Sequence, residues 1–200
     1  MTRSVEESWG LITSWLEQNL PAAHQALEPP ASPAAIDAIS KEVGRPLPAD
    51  LLAWLDLTNG IRGPATFGNL LPPFYTPLIC EGMLTRHRMM HSVYADLPHE
   101  DADSPAGSYS FVWLDTFLPL AASGTDVDLF VDLRDGELHG CVDELDATEG
   151  STGPVWPSTA AMLSQVADAF VLGQPVQWAY GSGDSTEYRP QLEDGRLSWD

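Results

Sequence analysis

FVWLDTFLPLAASGTDVDLFVDLRDGELHGCV, residues 111–142, holds the strongest strand signals in the chain and one turn dipeptide of known geometry. Asp135-Gly136 lies between two alternating runs. A two-residue type I′ turn needs positive φ at both central positions, which Asp and Gly tolerate best, so this dipeptide predicts a hairpin. The turn sets a register in which Leu133 faces Leu138, Asp132 faces His139, Phe130 faces Cys141 and Leu129 faces Val142. Side chains alternate with period two, so Val127, Leu129, Val131, Leu133, Leu138 and Val142 share one face. Asp128, Phe130, Asp132, Glu137, His139 and Cys141 share the other. The first face reads as core. The second is polar with one aromatic, as when helices cover one side of an antiparallel sheet and water or a partner meets the other.

Around this stretch the chain has 200 residues, enough for one substantial core. Its 29 acidic residues against 9 Lys and Arg give a net charge of −20. That argues against nucleic acid and anionic membrane as partners, which call for a basic footprint, and it permits a basic partner. The first twenty residues mix acids and polar side chains where a secretory signal needs an apolar core, and no run reaches membrane-spanning length. Cys80 and Cys141 lie far apart in no paired motif, so reduced thiols and a cytoplasmic location are expected.

Upstream, Ser4 and Glu7 stand in capping-box spacing before Val5, Trp9, Ile12, Leu16 and Leu20, an amphipathic helix ended by Pro21. Ser32, Pro33 and Gly44 bracket a second helix carrying Ile36, Ile39 and Val43. Pro48 opens a third, with Leu51, Trp54 and Leu55 apolar and Asn59-Gly60 read as its left-handed cap. An edge strand is expected around Thr66–Leu71, then a helix from Thr76-Pro77 through Val93, then an exposed polar loop over 96–107. Strands are expected at Ser110–Leu114 and Leu118–Ala121, and an acidic loop over 143–153. Ser158 and Gly173 bracket the last helix, and Asp194-Gly195 marks a second, weaker hairpin. Helices, then a largely antiparallel sheet, then a helix make an α+β fold with helices packed on one face. The domain is read as 1–176, with 177–200 a C-terminal extension.

Several pieces in order carry a family resemblance: PASPAAIDAISKEVGRPLPADLLAWLDLTNG at 30–60, FLPLA at 117–121, SGTDVDLFVDL at 123–133, HGCV at 139–142 and VWPSTAAML at 155–163. The most specific is Leu47, Pro48, Leu51, Trp54, Leu55, Asn59 and Gly60. Together they resemble the SUKH superfamily, in the branch named after the yeast cell-wall-assembly regulator. The resemblance implies a helix-backed sheet that binds another protein, with many bacterial members proposed to neutralise polymorphic toxins, often nucleases. It implies no catalytic residues and no cofactor. Members usually have one Asp entering the strand after a Gly-rich turn. Here Val127 falls there, flanked by Asp126 and Asp128.

Three constellations suggest other chemistry. Asp132, His139 and Cys141 share a hairpin face, but His139 and Cys141 two apart on a strand stand about 6–7 Å apart, poor spacing for a nucleophile and its base. His87 and His91 have the helical spacing of two metal ligands, but Arg88, Met89 and Met90 lie between them and no third ligand follows. Asp126, Asp128 and Asp132 lack the glycine a calcium loop needs, since Val131 stands there. Arg86–Arg88 is the one concentrated basic cluster, ordinarily a solvated helix face.

The expectation is therefore a non-enzymatic module without metal or cofactor. Its partner is a protein, in the sharpest form a basic nuclease toxin. The expected contact residues are Asp126, Asp128, Phe130, Asp132, Glu137 and His139, with Trp113 and Trp156 beside them. Replacing Asp126, Asp128 and Asp132 with Asn should then weaken binding without unfolding the protein. A regulatory scaffold is the alternative of the same class. A small-ligand binder built on Trp113, Phe130 and Trp156 is the alternative of a different class.

Overall fold

Caps written into the sequence set the helices. The computed structural model describes residues 2–62, 67–179 and 185–200. In α1 (Val5–Asn19) the Ser4 hydroxyl accepts from the Glu7 amide at 3.1 Å, and the Glu7 carboxylate accepts from the Ser4 amide at 3.2 Å. The helix ends at Asn19, just ahead of Pro21, and Pro21 opens a separate short α2 (Pro21–Gln25). Ser32 caps α3 (Pro33–Val43), and Gly44 closes it with φ 64°. Then α4 (Ala49–Leu55) ends at Asp56, before the Asn-Gly pair.

Asn59-Gly60 is thus not a helix cap. The Asn59 side-chain carbonyl accepts from the Cys80 amide at 2.9 Å, so it caps the helix α5 (Cys80–Tyr94) across space. Gly60 has φ 74°, and a Cβ there would lie 2.3 Å from the Leu78 carbonyl oxygen. Glycine is needed because two backbones meet at that point.

The expected helix start at Thr76-Pro77 is instead β1 (Thr76–Pro77), which pairs with β2 (Phe117–Ala122). The sheet claims its backbone: Leu78 N–H bonds to Leu120 O at 3.0 Å, and Pro77 O accepts from Ile61 at 3.2 Å. After β3 (Val127–Asp132) come β4 (Val142–Asp146) and β5 (Gly150–Ser151), inside the stretch expected to be an acidic loop. The five strands form an antiparallel sheet in chain order. Residues 110–114 are irregular rather than a strand; of the expected edge strand, Thr66 lies outside the described residues and 67–71 hold only isolated bridges, Gly68 to Leu197 and Leu71 to Tyr75. Past α6 (Thr159–Leu172), β6 (Val176–Ala179) pairs with β7 (Ser185–Tyr188), and β8 (Pro190–Glu193) with β9 (Arg196–Trp199). The last pair turns on Asp194 and Gly195, both at positive φ, 50° and 73°. Leu197 and Trp199 are buried in the main core, and Trp199 stacks on Phe170 with ring centroids 5.5 Å apart, so the C-terminal extension shares that core. No described helix is long and apolar enough to cross a membrane.

The central register differs from the expected one by two residues: Val131 pairs with Val142, Phe130 with Asp143 and Asp128 with Leu145. Gly140, at φ 88°, donates to Asp132 O at 2.8 Å while the Asp132 amide donates to Cys141 O at 3.0 Å. Two residues thus oppose one, as in a glycine bulge. Residues 133–141 form a loop rather than a tight turn. Leu138 is 38 % exposed and does not meet Leu133, which is fully buried. A slip of two preserves the faces, so Leu129, Val131 and Val142 still point to the core built with Ile12, Leu51 and Val166.

The opposite face is not open. Phe130 and Leu145 pack there against Met90 and Tyr94 of α5 and against Val112 and Trp113. The fold is α+β with both sheet faces covered.

Candidate functional site

The face expected to meet a partner divides into a buried polar seam and an exposed loop. Asp128, Phe130 and Asp132 alternate along β3 beneath α5 and the 105–114 segment, and all three are fully buried. A carboxylate placed there needs a partner within the fold, and each Asp has an arginine. Arg86 of α5 reaches Asp128 at 2.6 Å. Burial still raises the Asp128 carboxyl above its ordinary range, against the pull of Arg86.

Asp132 is held more completely. Arg134 Nη2 donates to its Oδ2 at 2.7 Å, Arg134 Nε to both oxygens at 3.1 Å, and the Gly107 amide to Oδ2 at 2.8 Å. The same guanidinium donates to Asp101 O at 3.2 Å and Ser108 O at 2.6 Å, and it lies 5.0 Å from the Phe117 ring centroid. This pair draws the chain after Asp132 inward under residues 101–108. A tight turn at Asp135-Gly136 would pull Arg134 out of that arrangement, and this explains the register found.

Asp143, read as part of a loop, lies on the same buried face. Its Oδ1 accepts from the Glu144 amide at 2.6 Å and from Thr152 Oγ1 at 3.4 Å, while no hydrogen bond reaches Oδ2. Burial first, then the Asp132 and Glu144 charges, push its carboxyl up to about 7. Alternation in VDELD was the available signal for a strand. The density of acids masked it.

Of the eight expected contact residues, Asp126, Glu137 and His139 are exposed, and Asp128, Phe130, Asp132, Trp113 and Trp156 are fully buried. Asp126 and Glu137 stand beyond opposite ends of β3, about 20 Å apart along the strand. They do not form one patch. The aromatic rings fill space against one another: Phe130 lies 4.1 Å from Phe117 and 5.6 Å from Trp113, and Trp156 lies 5.0 Å from Trp178.

The thiol constellation is not assembled. His139 Nδ1 sits 3.0 Å from Arg134 O, and Asp132 is occupied by Arg134. Cys141 is fully buried, with its thiol pushed up to about 12 by burial and then by Asp132 and Asp143. A protonated thiol out of reach of solvent is not a nucleophile.

The two α5 histidines have other duties. Buried His87 places Nδ1 3.0 Å from Phe117 O and 3.3 Å from Trp113 Nε1, and burial lowers its imidazole below the ordinary range. His91 pairs with Asp115, and Arg88 forms two bonds of 2.7 Å to Glu42 of α3. A cleft of about 450 Å³ opens beside them. Among the described residues, no group of three or more His, Cys, Asp or Glu is placed to hold a metal ion. Arg86 and Arg88 each anchor an acid of the same chain rather than form a free basic patch.

The roles of Asn59, Gly60 and Trp54 show why LP-x-x-L-x-x-W-L-x-x-x-NG hangs together: it joins α4 to α5 and seats Trp54, 5.7 Å from the Trp9 ring, in the core. Among curated proteins no sequence match is found. Residues 30–165 match the model of the SMI1 / KNR4 family (SUKH-1), well over half of the chain, and the chain belongs to that family.

Proposed function

We propose that this chain is a non-enzymatic protein-binding module that acts as an immunity protein against a toxin with a basic surface. The observation that carries the reading is the distribution of charge. Arg3, Arg45, Arg62, Arg86, Arg88 and Arg134 each engage a carboxylate of this chain, as does Arg189. Most of the 29 acidic residues remain outside these pairs, and the surface field is strongly negative. An inhibitor of a nuclease works by placing carboxylates where the phosphate backbone would lie. Family membership supports the scaffold, and the buried, protonated thiol of Cys141 supports the non-enzymatic part.

The test is co-expression in bacteria with the products of the genes next to this one, one of which should be a toxin that arrests growth on its own. The full chain should restore growth and bind the purified toxin. Failure to protect against that toxin, with both proteins expressed and soluble, overturns immunity.

A further inference from the structure

On the exposed side of α5, Met89 and Val93 follow one another at a helical turn, and Leu97 continues the line just past the helix end. Val93 is 63 % exposed and Leu97 42 %. Beside Leu97, the irregular segment carries Tyr109 and Phe111 outward, 53 % and 47 % exposed, while Val112 and Trp113 behind them are buried. Leu97 and Phe111 line one recess of about 330 Å³, together with Pro98, Glu100, Asp101 and Val112. Leu97 and Phe111, large apolar side chains exposed at one recess that Glu100 and Asp101 rim on an otherwise acidic surface, mark an interaction site rather than incidental exposure.

We propose that this patch is the docking surface for a basic protein segment that carries an apolar side chain into the recess between Leu97 and Phe111. The inference rests on the protein-binding reading above and names where and what it binds.

Charge selects the occupant. Glu100 and Asp101 line the recess, and Asp96 and Asp103 lie on the flanking loop. Neighbouring cations are already engaged: Arg86 by Asp128 and Arg134 by Asp132. A second copy of a chain with net charge −20 would be repelled, and so would an anionic membrane or a nucleic acid. Lysines or arginines on the partner would meet the acidic rim, and an aromatic or aliphatic anchor would fill the recess.

The experiment titrates the full chain with a synthetic amphipathic peptide of about 20 residues built from Lys and Leu at helical spacing. A version with Ser for Leu and a version with Glu for Lys serve as comparisons. Binding is expected for Lys–Leu, about tenfold weaker for Lys–Ser, and absent for Glu–Leu. Val93→Arg with Phe111→Arg should weaken Lys–Leu binding at least about tenfold, while Val171→Arg with Leu172→Arg, exposed apolar positions at the end of α6, should not. Unchanged thermal melting shows that the variants fold. Equal loss in the α6 variant, equal binding of Lys–Ser, or binding of Glu–Leu overturns the proposal.

Carrying the same variants into the growth test separates the two readings. Protection retained by Val93→Arg with Phe111→Arg sinks this surface and leaves immunity standing. Peptide binding at the patch without protection sinks immunity and leaves the surface.

Discussion

Asp143 shows what a single buried carboxylate does to the whole protein. Its ordinary value of 3.8 rises to about 7 in the fold. Below pH 4 it is protonated whether the chain is folded or not and contributes nothing. Between about pH 4 and 7 the unfolded chain releases the proton and the folded one keeps it, so stability falls as pH rises, and it levels off above. Asp143→Asn keeps an oxygen acceptor for the Glu144 amide and removes the titration. The variant is expected to match the parent near pH 3.5 and exceed it at pH 8 by up to about 4 kcal/mol. Urea unfolding at the two pH values measures it, and an unchanged difference between parent and variant at both would refute the account. Cys141 and Cys80 share this buried world, with both thiols raised above the ordinary range by burial. Neither should react with Ellman's reagent until denaturant opens the fold, and prompt reaction of Cys141 in the native protein would revive a nucleophilic role.

At the scale of elements, helices were legible because their signals are local. Ser4 with Glu7, Ser32, Ser158, Gly44 and Gly173 all sit at the ends they announce. Strand pairing was not, since it depends on partners far along the chain. Asp135-Gly136 and Asp194-Gly195 are the same dipeptide, yet only the second makes the expected turn. At the first, Arg134 is drawn inward by Asp132, Asp101 and Ser108, and nothing near Asp135 in sequence shows this. The candidate site failed to read for a related reason: alternation of Asp with apolar residues looks like a solvated face unless one knows that Arg86 comes down from α5. Gly140 and Gly195 allow a comparison of the two turns. Both have positive φ, but a Cβ on Gly140 would lie 2.8 Å from the Pro48 ring, whereas Gly195 faces open space. Gly195→Ala should cost about 1 kcal/mol from backbone strain alone. Gly140→Ala should cost more, about 2–3 kcal/mol, because the bulge and the contact of the loop with Pro48 move together. Chemical denaturation of the two variants checks the order, and equal losses would mean that the close approach of Gly140 to Pro48 adds nothing to the strain of positive φ.

For the molecule as a whole, the charge that marks the surface is also a kinetic device. A net charge of −20 on 200 residues surrounds the chain with a field that reaches as far as salt allows, about 8 Å at physiological ionic strength and 30 Å at 0.01 M. A basic partner is drawn in before any contact forms, and orientation within the encounter is left to the apolar anchors. Salt should therefore slow association and leave dissociation nearly unchanged: raising ionic strength from about 0.05 to 0.5 M should lower the on-rate by at least about tenfold. The acids to neutralise in testing this are exposed ones such as Asp126 and Glu137. Asp128 and Asp132 were expected to serve, but each is buried against an arginine, and removing Asp132 leaves the fully buried Arg134 without its carboxylate at about 3–5 kcal/mol. Asp126→Asn with Glu137→Gln should slow association at low salt, leave the off-rate alone and melt at the parent's temperature. Asp132→Asn should instead lower the melting temperature. Stopped-flow mixing with the cognate toxin, or with the Lys–Leu peptide, distinguishes the two. If salt acted on dissociation instead, the carboxylates would be contact groups in the bound state, and steering would be the wrong description of what this surface does.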